Sequence, residues 1–280
     1  AGGANSIKKA ADLLSKAKFP VILSGAGVIL SDAIEDCKKL AEKLDAPVCS
    51  GYQHNDSFPG SHPLAVGPLG YNGSKAAMQL IAKADVVLAL GTRLNPFSTL
   101  PGYGIDYWPK NAKIIQVDIN SDRIGLTKKV TVGICGDAKL VTQQLISKLT
   151  TNAGDNDRQK RKDLIHQTKS AWLQMLSSLD HEEDDPGTVW NKEARERDKD
   201  RMSPRAAWRA IQLGLPDNVI ISSDIGNNCA IGNAYPTFEK GRKYLAPGLF
   251  GPCGYGFPSI LGAKIGCPDI PVVEIGRAHV

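Results

Sequence analysis

The sequence predicts an α/β fold: a doubly wound parallel sheet over residues 1–150, then, past residues 151–200, the opening of a second α/β unit over 201–273. Three observations carry this. Short apolar runs alternate with amphipathic segments through the first half. Asp85-Val86-Val87-Leu88-Ala89-Leu90-Gly91 is too continuously apolar to be wetted on either face, the pattern of a buried parallel strand. Glycine-rich or polar turns come after these runs, at the carboxyl ends where open α/β sheets gather their loops.

Taken in order, the chain drops from Ala1-Gly2-Gly3 straight into an amphipathic helix, and Phe19-Pro20-Val21-Ile22-Leu23 is a short buried strand closed by Ser24-Gly25-Ala26-Gly27. A helix is expected from Ser31-Asp32, where Asp32 and Glu35 have capping-box spacing and Ile34, Cys37, Ala41 and Leu44 share one face. Pro47-Val48-Cys49-Ser50 is the next strand, and a long loop leads on from it. Ser74 opens the helix KAAMQLIAKA, which precedes the strand at 85–91. Lys113–Ile119 and Val130–Cys135 read as two more strands, and Asp137 caps a closing helix through Leu149.

Composition narrows the function. The net charge of +5 arises from 34 basic and 29 acidic residues interspersed in both signs, so no basic stripe exists to follow a phosphate backbone, and nucleic acid is not an expected partner. The six cysteines are scattered, without a CxxC pair or a nearby His at ligand spacing, and read as reduced thiols of a cytoplasmic protein. No apolar run approaches the roughly 20 residues that span a bilayer. The start AGGANSIKKAADLL has neither the charged opening nor the apolar core of a signal peptide, and lacks an initiator Met; it reads as the inside of a longer chain.

Gly25, Gly27, the Gly91-Thr92-Arg93 turn and Asp118 have the chemistry of a nucleotide site: close backbone approach, a cation and a carboxylate for a ribose hydroxyl. Each has a plainer use. A GxG after a strand also makes a tight turn, and Asp118 also caps Asn120-Ser121-Asp122. A structural sheet is the favoured reading, with a non-catalytic nucleotide-binding module as the alternative.

From Thr151 the pattern weakens. Asn152, Gly154 and Asn156 are expected to break the closing helix, His181–Pro186 is an acidic stop, and NKEARERDKDR is solvated charge. One helix, Lys162–Leu179, is expected here, with Trp172, Met175 and Leu176 as its contact face; His166 and His181 are read as surface residues. The second unit opens with Ser203 as N-cap and Pro204 at the first helical position, Trp208, Ile211 and Leu215 forming one stripe. Val219–Ser223 is a strand that ends in Asp224-Ile225-Gly226-Asn227-Asn228, a turn whose backbone amides suit an anion. Tyr244-Leu245-Ala246 is another short strand. Glycines 248, 251, 254 and 256 then let the backbone pass close to a ligand before a helix at Pro258 and an apolar strand, Pro271-Val272-Val273.

The Ser-Asp-Ile-Gly turn, GPCGYGFPSILGAKIGCPD and the strand after it resemble the start of the diphosphate-binding domain of thiamine-diphosphate-dependent enzymes, and the first sheet resembles their central domain. HNDSFPGSHPLAVGPLGYNGSKAAM, LALGTRLNPFSTLPGYGIDYWPKNAKIIQVD and VGICGDAK narrow the resemblance to members acting on sulfoacetaldehyde. Acetolactate synthases share the layout but lack HNDSFPGSHP and the GPCGYG loop. The resemblance covers nearly the whole chain up to Val273. It implies an acyltransferase fragment whose full-length enzyme converts sulfoacetaldehyde and phosphate to acetyl phosphate and sulfite, with thiamine diphosphate and Mg2+, as a homodimer or homotetramer; another carboligase or decarboxylase of the group is the alternative. It places the diphosphate on Ile225, Gly226 and Asn227 with Asn228 close by. The aminopyrimidine lies against Gly251 and against Cys253, which stands where a bulky residue holds the cofactor bent. No catalytic residue or metal ligand falls in the chain: the activating Glu belongs to a separate domain, and Mg2+ is held by a Gly-Asp-Gly motif and a downstream Asn. That motif's Asp falls near position 278, where this chain has Ala278. Residues 274–280, EIGRAHV, are therefore expected to be non-native: GAG ATC GGA AGA GCA CAC GTC encodes them, and from its second base that string reads as a common short-read sequencing adapter. The central-sheet loops are expected to hold no nucleotide, because Pro96 stands where a flavin enzyme wants polar contacts. The second unit is expected to expose Val219–Ile221 and Pro271–Val273.

Overall fold

A computed structural model describes residues 2–150, 155–179, 204–248 and 250–276. Its larger sheet has six parallel strands in the order β3-β2-β1-β4-β5-β6: β1 (Pro20–Ser24), β2 (Val48–Ser50), β3 (Ala65–Pro68), β4 (Val86–Leu90), β5 (Lys113–Asp118) and β6 (Val132–Cys135). Strand order reverses between β1 and β4, which pair from Pro20 with Val86 to Ser24 with Leu90. Val21, Ile22, Leu23, Val87, Leu88, Ala89 and Leu90 are completely buried, as their unbroken apolar runs require.

Helices α1 (Ala4–Lys16), α3 (Ile34–Leu44) and α5 (Ala138–Lys148) pack together, while α4 (Lys75–Ile81) packs with α6 (Asp155–Leu179). Because the chain crosses the sheet in opposite senses before and after β3, right-handed crossovers put these groups on opposite faces. Two capping expectations hold: Ser74 Oγ accepts from Ala77 N, and the Asp137 carboxylate accepts from Leu140 N.

Several expectations are corrected. No capping box forms at Asp32: α2 (Ala26–Leu30) ends just before it, Asp32 turns at φ +55°, and α3 begins two residues later on Ala33 without a side-chain cap. The long loop after β2 contains β3, whose AVGP sequence carries no strand signal and is drawn into the sheet by pairing with β2. Helix α6 starts at Asp155, so Asn156 lies inside it. Arg161 and Ile165 are its buried residues, while Trp172, Met175 and Leu176 are half-buried. Arg161 donates to the carbonyls of Asp45, Leu44 and Lys18 at 3.0, 2.9 and 2.6 Å, tying α6 to the carboxyl end of α3. His166 is exposed as expected; Asn152, Gly154, His181 and Ser203 lie outside the described residues.

The smaller sheet runs β8-β7-β9, all parallel, with β7 (Ile220–Ser223) between β8 (Tyr244–Leu245) and β9 (Val272–Ile275). Helix α7 (Pro204–Gly214), α8 (Asn227–Ala234) and α9 (Gly256–Gly266) complete this unit. Val219, Ile220 and Ile221 are buried, contrary to expectation, because both neighbouring strands are present. Pro271 is exposed as expected and Val272 and Val273 are half-buried, and exposed apolar surface lies also on α9, at Phe257, Leu261 and Ile265, and at Phe250.

Candidate functional site

Strand β7 delivers Asp224, whose buried carboxylate organises both the adjoining turn and the glycine loop. One oxygen accepts from Ile225 N at 2.8 Å; the carboxylate also accepts from Gly254 N, at 2.8 and 3.1 Å. A single side chain thus joins the turn at 225–228 to the glycine loop at 251–256. Gly226, at φ +130°, is a conformation that side-chain-bearing residues avoid, and it leads directly into α8. The first amides of α8 have no acceptor within the helix by position and carry the positive end of its dipole.

The glycine loop is built for close approach. A Cβ on Gly251, at φ +57°, would sit 3.2 Å from Ile225 Cδ1, so this glycine lies over the turn. A Cβ on Gly256 would fall 2.5 Å from Glu274 Oε1 and 3.2 Å from Asp224 N. The structure therefore brings Ile225, Gly226, Asn227 and Gly251 together. Cys253 is exposed on the same loop. Asn228 is turned to another use: its Nδ2 donates to the carbonyls of Ile275 and Gly276 at 2.9 and 3.2 Å, holding the end of β9. Glu274 pairs with Ser222 and Ile275 with Ser223 as β9 residues, while 277–280 lie outside the described residues. Sequence reasoning missed Asp224 as an organiser; a buried strand delivering an aspartate directly before Ile-Gly was the available signal.

The turn, glycine-lined and with helix-terminal amides beside it, fits a diphosphate. Among the described residues no group of three or more His, Cys, Asp or Glu side chains could hold a metal ion.

A second concavity, about 460 Å³, opens where the larger sheet reverses, lined by Gly27, His54, Thr92, Arg93, Asn95 and Asp118 among others. Gly27 N donates to Gly91 O at 2.8 Å, and a Cβ on Gly91, at φ +61°, would lie 2.6 Å from Gly27 Cα. These glycines thus serve contact between two strand-end loops. Asp118 accepts from Asn120 N at 2.9 Å, its capping role. Arg93 is exposed at the rim, and Asn95 accepts from Ser98 N at 3.1 Å as the cap of the turn at Pro96. Burial, aided by Arg93, pushes the His54 imidazole down to about 4, so it is neutral at pH 7.

Comparison with known proteins agrees with this geometry. The model "Thiamine pyrophosphate enzyme, central domain" matches residues 7–145, and "Thiamine pyrophosphate enzyme, C-terminal TPP binding domain" matches residues 224–276. A probable sulfoacetaldehyde acetyltransferase of Rhizobium meliloti is 77% identical over 273 residues, 98% of this chain and 46% of that protein. A sulfoacetaldehyde acetyltransferase of Roseovarius nubinhibens is 73% identical, over 97% of this chain and 45% of the relative. A probable acetolactate synthase large subunit of Methanococcus aeolicus is 32% identical, over 98% and 44%. The chain spans about half the length of the curated relatives it matches. With both family models matched along its length, and the turn that would seat a diphosphate formed where the second begins, the chain belongs to the thiamine pyrophosphate enzyme family.

Proposed function

We propose that this chain is part of an acyltransferase that converts sulfoacetaldehyde and phosphate to acetyl phosphate and sulfite. The observation that carries the reading is the gap between 77% identity to a probable sulfoacetaldehyde acetyltransferase and 32% to a probable acetolactate synthase over nearly the same residues. Thiamine diphosphate, when bound, supplies the carbon nucleophile for such chemistry. The residues of this chain would hold it. Of the turn expected to carry the diphosphate, Ile225 has its amide engaged by Asp224, so the amides at Gly226 and Asn227, with Asn228 close by, and the dipole of α8 would offset part of the diphosphate charge. Asp224 keeps Ile225 against Gly251, and Gly251 and Cys253 would hold the aminopyrimidine. The cation, Mg2+ in this reading, takes its ligands from outside the described residues.

The same proposal divides the chain into a central domain, residues 1–150, and part of a diphosphate-binding domain from residue 201, with α6 packed on the former. It places the enzyme in the cytoplasm as a homodimer or homotetramer; among the described residues no helix is long and apolar enough to cross a membrane. It leaves the 460 Å³ concavity without a nucleotide, since the Asp118 carboxylate already caps a turn and Arg93 stands at the rim. Residues 274–280 are read as foreign to the gene. Sequencing the source gene through codon 274 with different primers should return other codons, and recovery of the same seven would remove that idea.

The experiment is a substrate panel on the full-length protein: sulfoacetaldehyde, pyruvate and oxalyl-CoA, each with thiamine diphosphate, Mg2+ and phosphate. Sulfite and acetyl phosphate from the first alone are expected. Acetolactate from pyruvate, with no sulfite from sulfoacetaldehyde, would transfer the chain to the carboligase reading.

A further inference from the structure

Helix α8 has two ends, and only one belongs to the candidate site. Eight residues make a helix too short to be stable alone, so its direction is set by whatever grips it. The grip at its carboxyl end comes from the loop between β2 and β3, the HNDSFPGSHP stretch that no part of the cofactor site uses.

Asn233, in the last turn of α8, is completely buried. Its Oδ1 accepts from Gln53 N, and its Nδ2 donates to Tyr71 O at 3.3 Å. Its backbone carbonyl accepts from Asn55 Nδ2, which also donates to Pro236 O at 3.2 Å. Helix-end carbonyls lack partners within the helix, so a side chain from the larger unit is serving as the carboxyl-terminal cap of α8. Gln53 sits at φ +65°, unusual for a side-chain-bearing residue, and its Nε2 reaches Cys229 Sγ at 3.1 Å. The loop continues as a row of ties. Asp56, buried, accepts from Lys243 N and Tyr244 N at 2.9 and 3.3 Å, fixing the start of β8. Gly60 N donates to Phe238 O at 2.9 Å, and Ser61 bonds Glu239 at 2.7 and 2.9 Å.

We propose that the 53–61 loop is a docking device that sets the direction of α8 from its far end, making Asn55 and Asn233 positioning residues for the diphosphate. This deepens, and rests on, the proposed thiamine-diphosphate function. The lever is short and stiff. Seven residues separate Gly226 from Asn233, about 10 Å along a helix axis, so a tilt of about 10° at Asn233 moves the amides at the other end by roughly 2 Å. That displacement exceeds the tolerance of a hydrogen bond, whose usable range is about 2.7–3.5 Å. The larger unit thus acts on cofactor affinity without touching the cofactor.

The test has two arms. In the first, hydrogen exchange is measured in the 280-residue chain for wild type, Asn55→Ser, which keeps a donor hydroxyl, and Asn55→Ala, which keeps none. In the second, the same variants are placed in a full-length enzyme in which this sequence replaces the matching residues of the Rhizobium meliloti relative. The amides of α8 should exchange faster in the order wild type, Ser, Ala. The dissociation constant for thiamine diphosphate should rise in the same order, roughly tenfold at Ala, the scale of one lost hydrogen bond. At saturating cofactor kcat should stay within about twofold, because bound diphosphate restores the helix; a merely structural role would instead lower kcat with the folded fraction. Unchanged α8 exchange, or unchanged cofactor affinity in a folded Asn55→Ala enzyme, overturns the inference. Should the wild type not bind thiamine diphosphate while α8 loosens in the variants, the docking role stands and the cofactor reading fails.

Discussion

At Asp224 one buried carboxylate collects the amides of Ile225 and Gly254, and so holds the turn and the glycine loop in register. Asp224→Ala should therefore lower stability by about 2–3 kcal/mol, the range for charged hydrogen bonds lost from a buried site, read by urea denaturation. Gly91→Ala should cost about 2 kcal/mol or more, because its φ of +61° and the Gly27 backbone both oppose a Cβ. His54 gives a pH signature. Its folded value, about 4, lies below the roughly 6.5 of an unfolded His, so the unfolded chain binds the proton first. Stability from this residue is complete above about pH 6.5 and is lost as pH falls toward 4. Between pH 7 and 5 it falls by about 2 kcal/mol. His54→Gln should remove that slope in paired denaturation curves. Burial pushes Asp56 upward, an effect of opposite sign that the pairing cancels. Residue types at turns are readable from sequence where the partner is local, as at Ser74, Asp137 and Asp118. Asn55 and Asn233 are not, since their partners lie about 180 positions away.

Among the elements, β1, β4 and β5 are legible because burial on both faces writes an unbroken apolar run. Strand β3 is not, since Gly67 and Pro68 deny it any such run and only the edge of β2 makes it a strand. The break at Asp32 escapes for a related reason: capping spacing is present, but the chain folds there into a left-handed turn. Helix α6 is legible as a helix, and Trp172 of its expected contact face meets Tyr103 edge-on, but its deepest docking comes from Ile165 in the core and from polar residues the pattern does not reveal. These are Arg161, whose guanidinium finds three carbonyls, and Arg158 and Lys162, which both pair with Asp45. Arg161→Ala should free the amino-terminal half of α6 and cost about 3 kcal/mol, a buried multidentate cation being lost from both sides. Circular dichroism should show lost helix before the main transition; a single unshifted transition would mean the helix is held elsewhere.

At the scale of the whole molecule, the described residues join two parallel sheets largely through the 53–61 loop, and the proposed cofactor turn sits on the smaller sheet. The sequence pattern leads to both sheets and to the turn, because glycine placement and apolar runs record close approach and double burial. It does not reveal that the two units share buried polar contacts, which no local pattern encodes. The 280-residue chain alone is accordingly expected to give no sulfite and to bind thiamine diphosphate weakly, even with Mg2+, because α8 offsets only part of the diphosphate charge. Micromolar binding by calorimetry would show the site to be misplaced. The most direct measurement is phosphate-dependent sulfite release from sulfoacetaldehyde by the full-length enzyme, wild type and Gly226→Val, across a titration of thiamine diphosphate. One acetyl phosphate per sulfite, no product without the cofactor, and a large rightward shift of the titration in the variant are expected. Sulfite release that is independent of thiamine diphosphate, or equal cofactor dependence in both proteins, would contradict the proposed function.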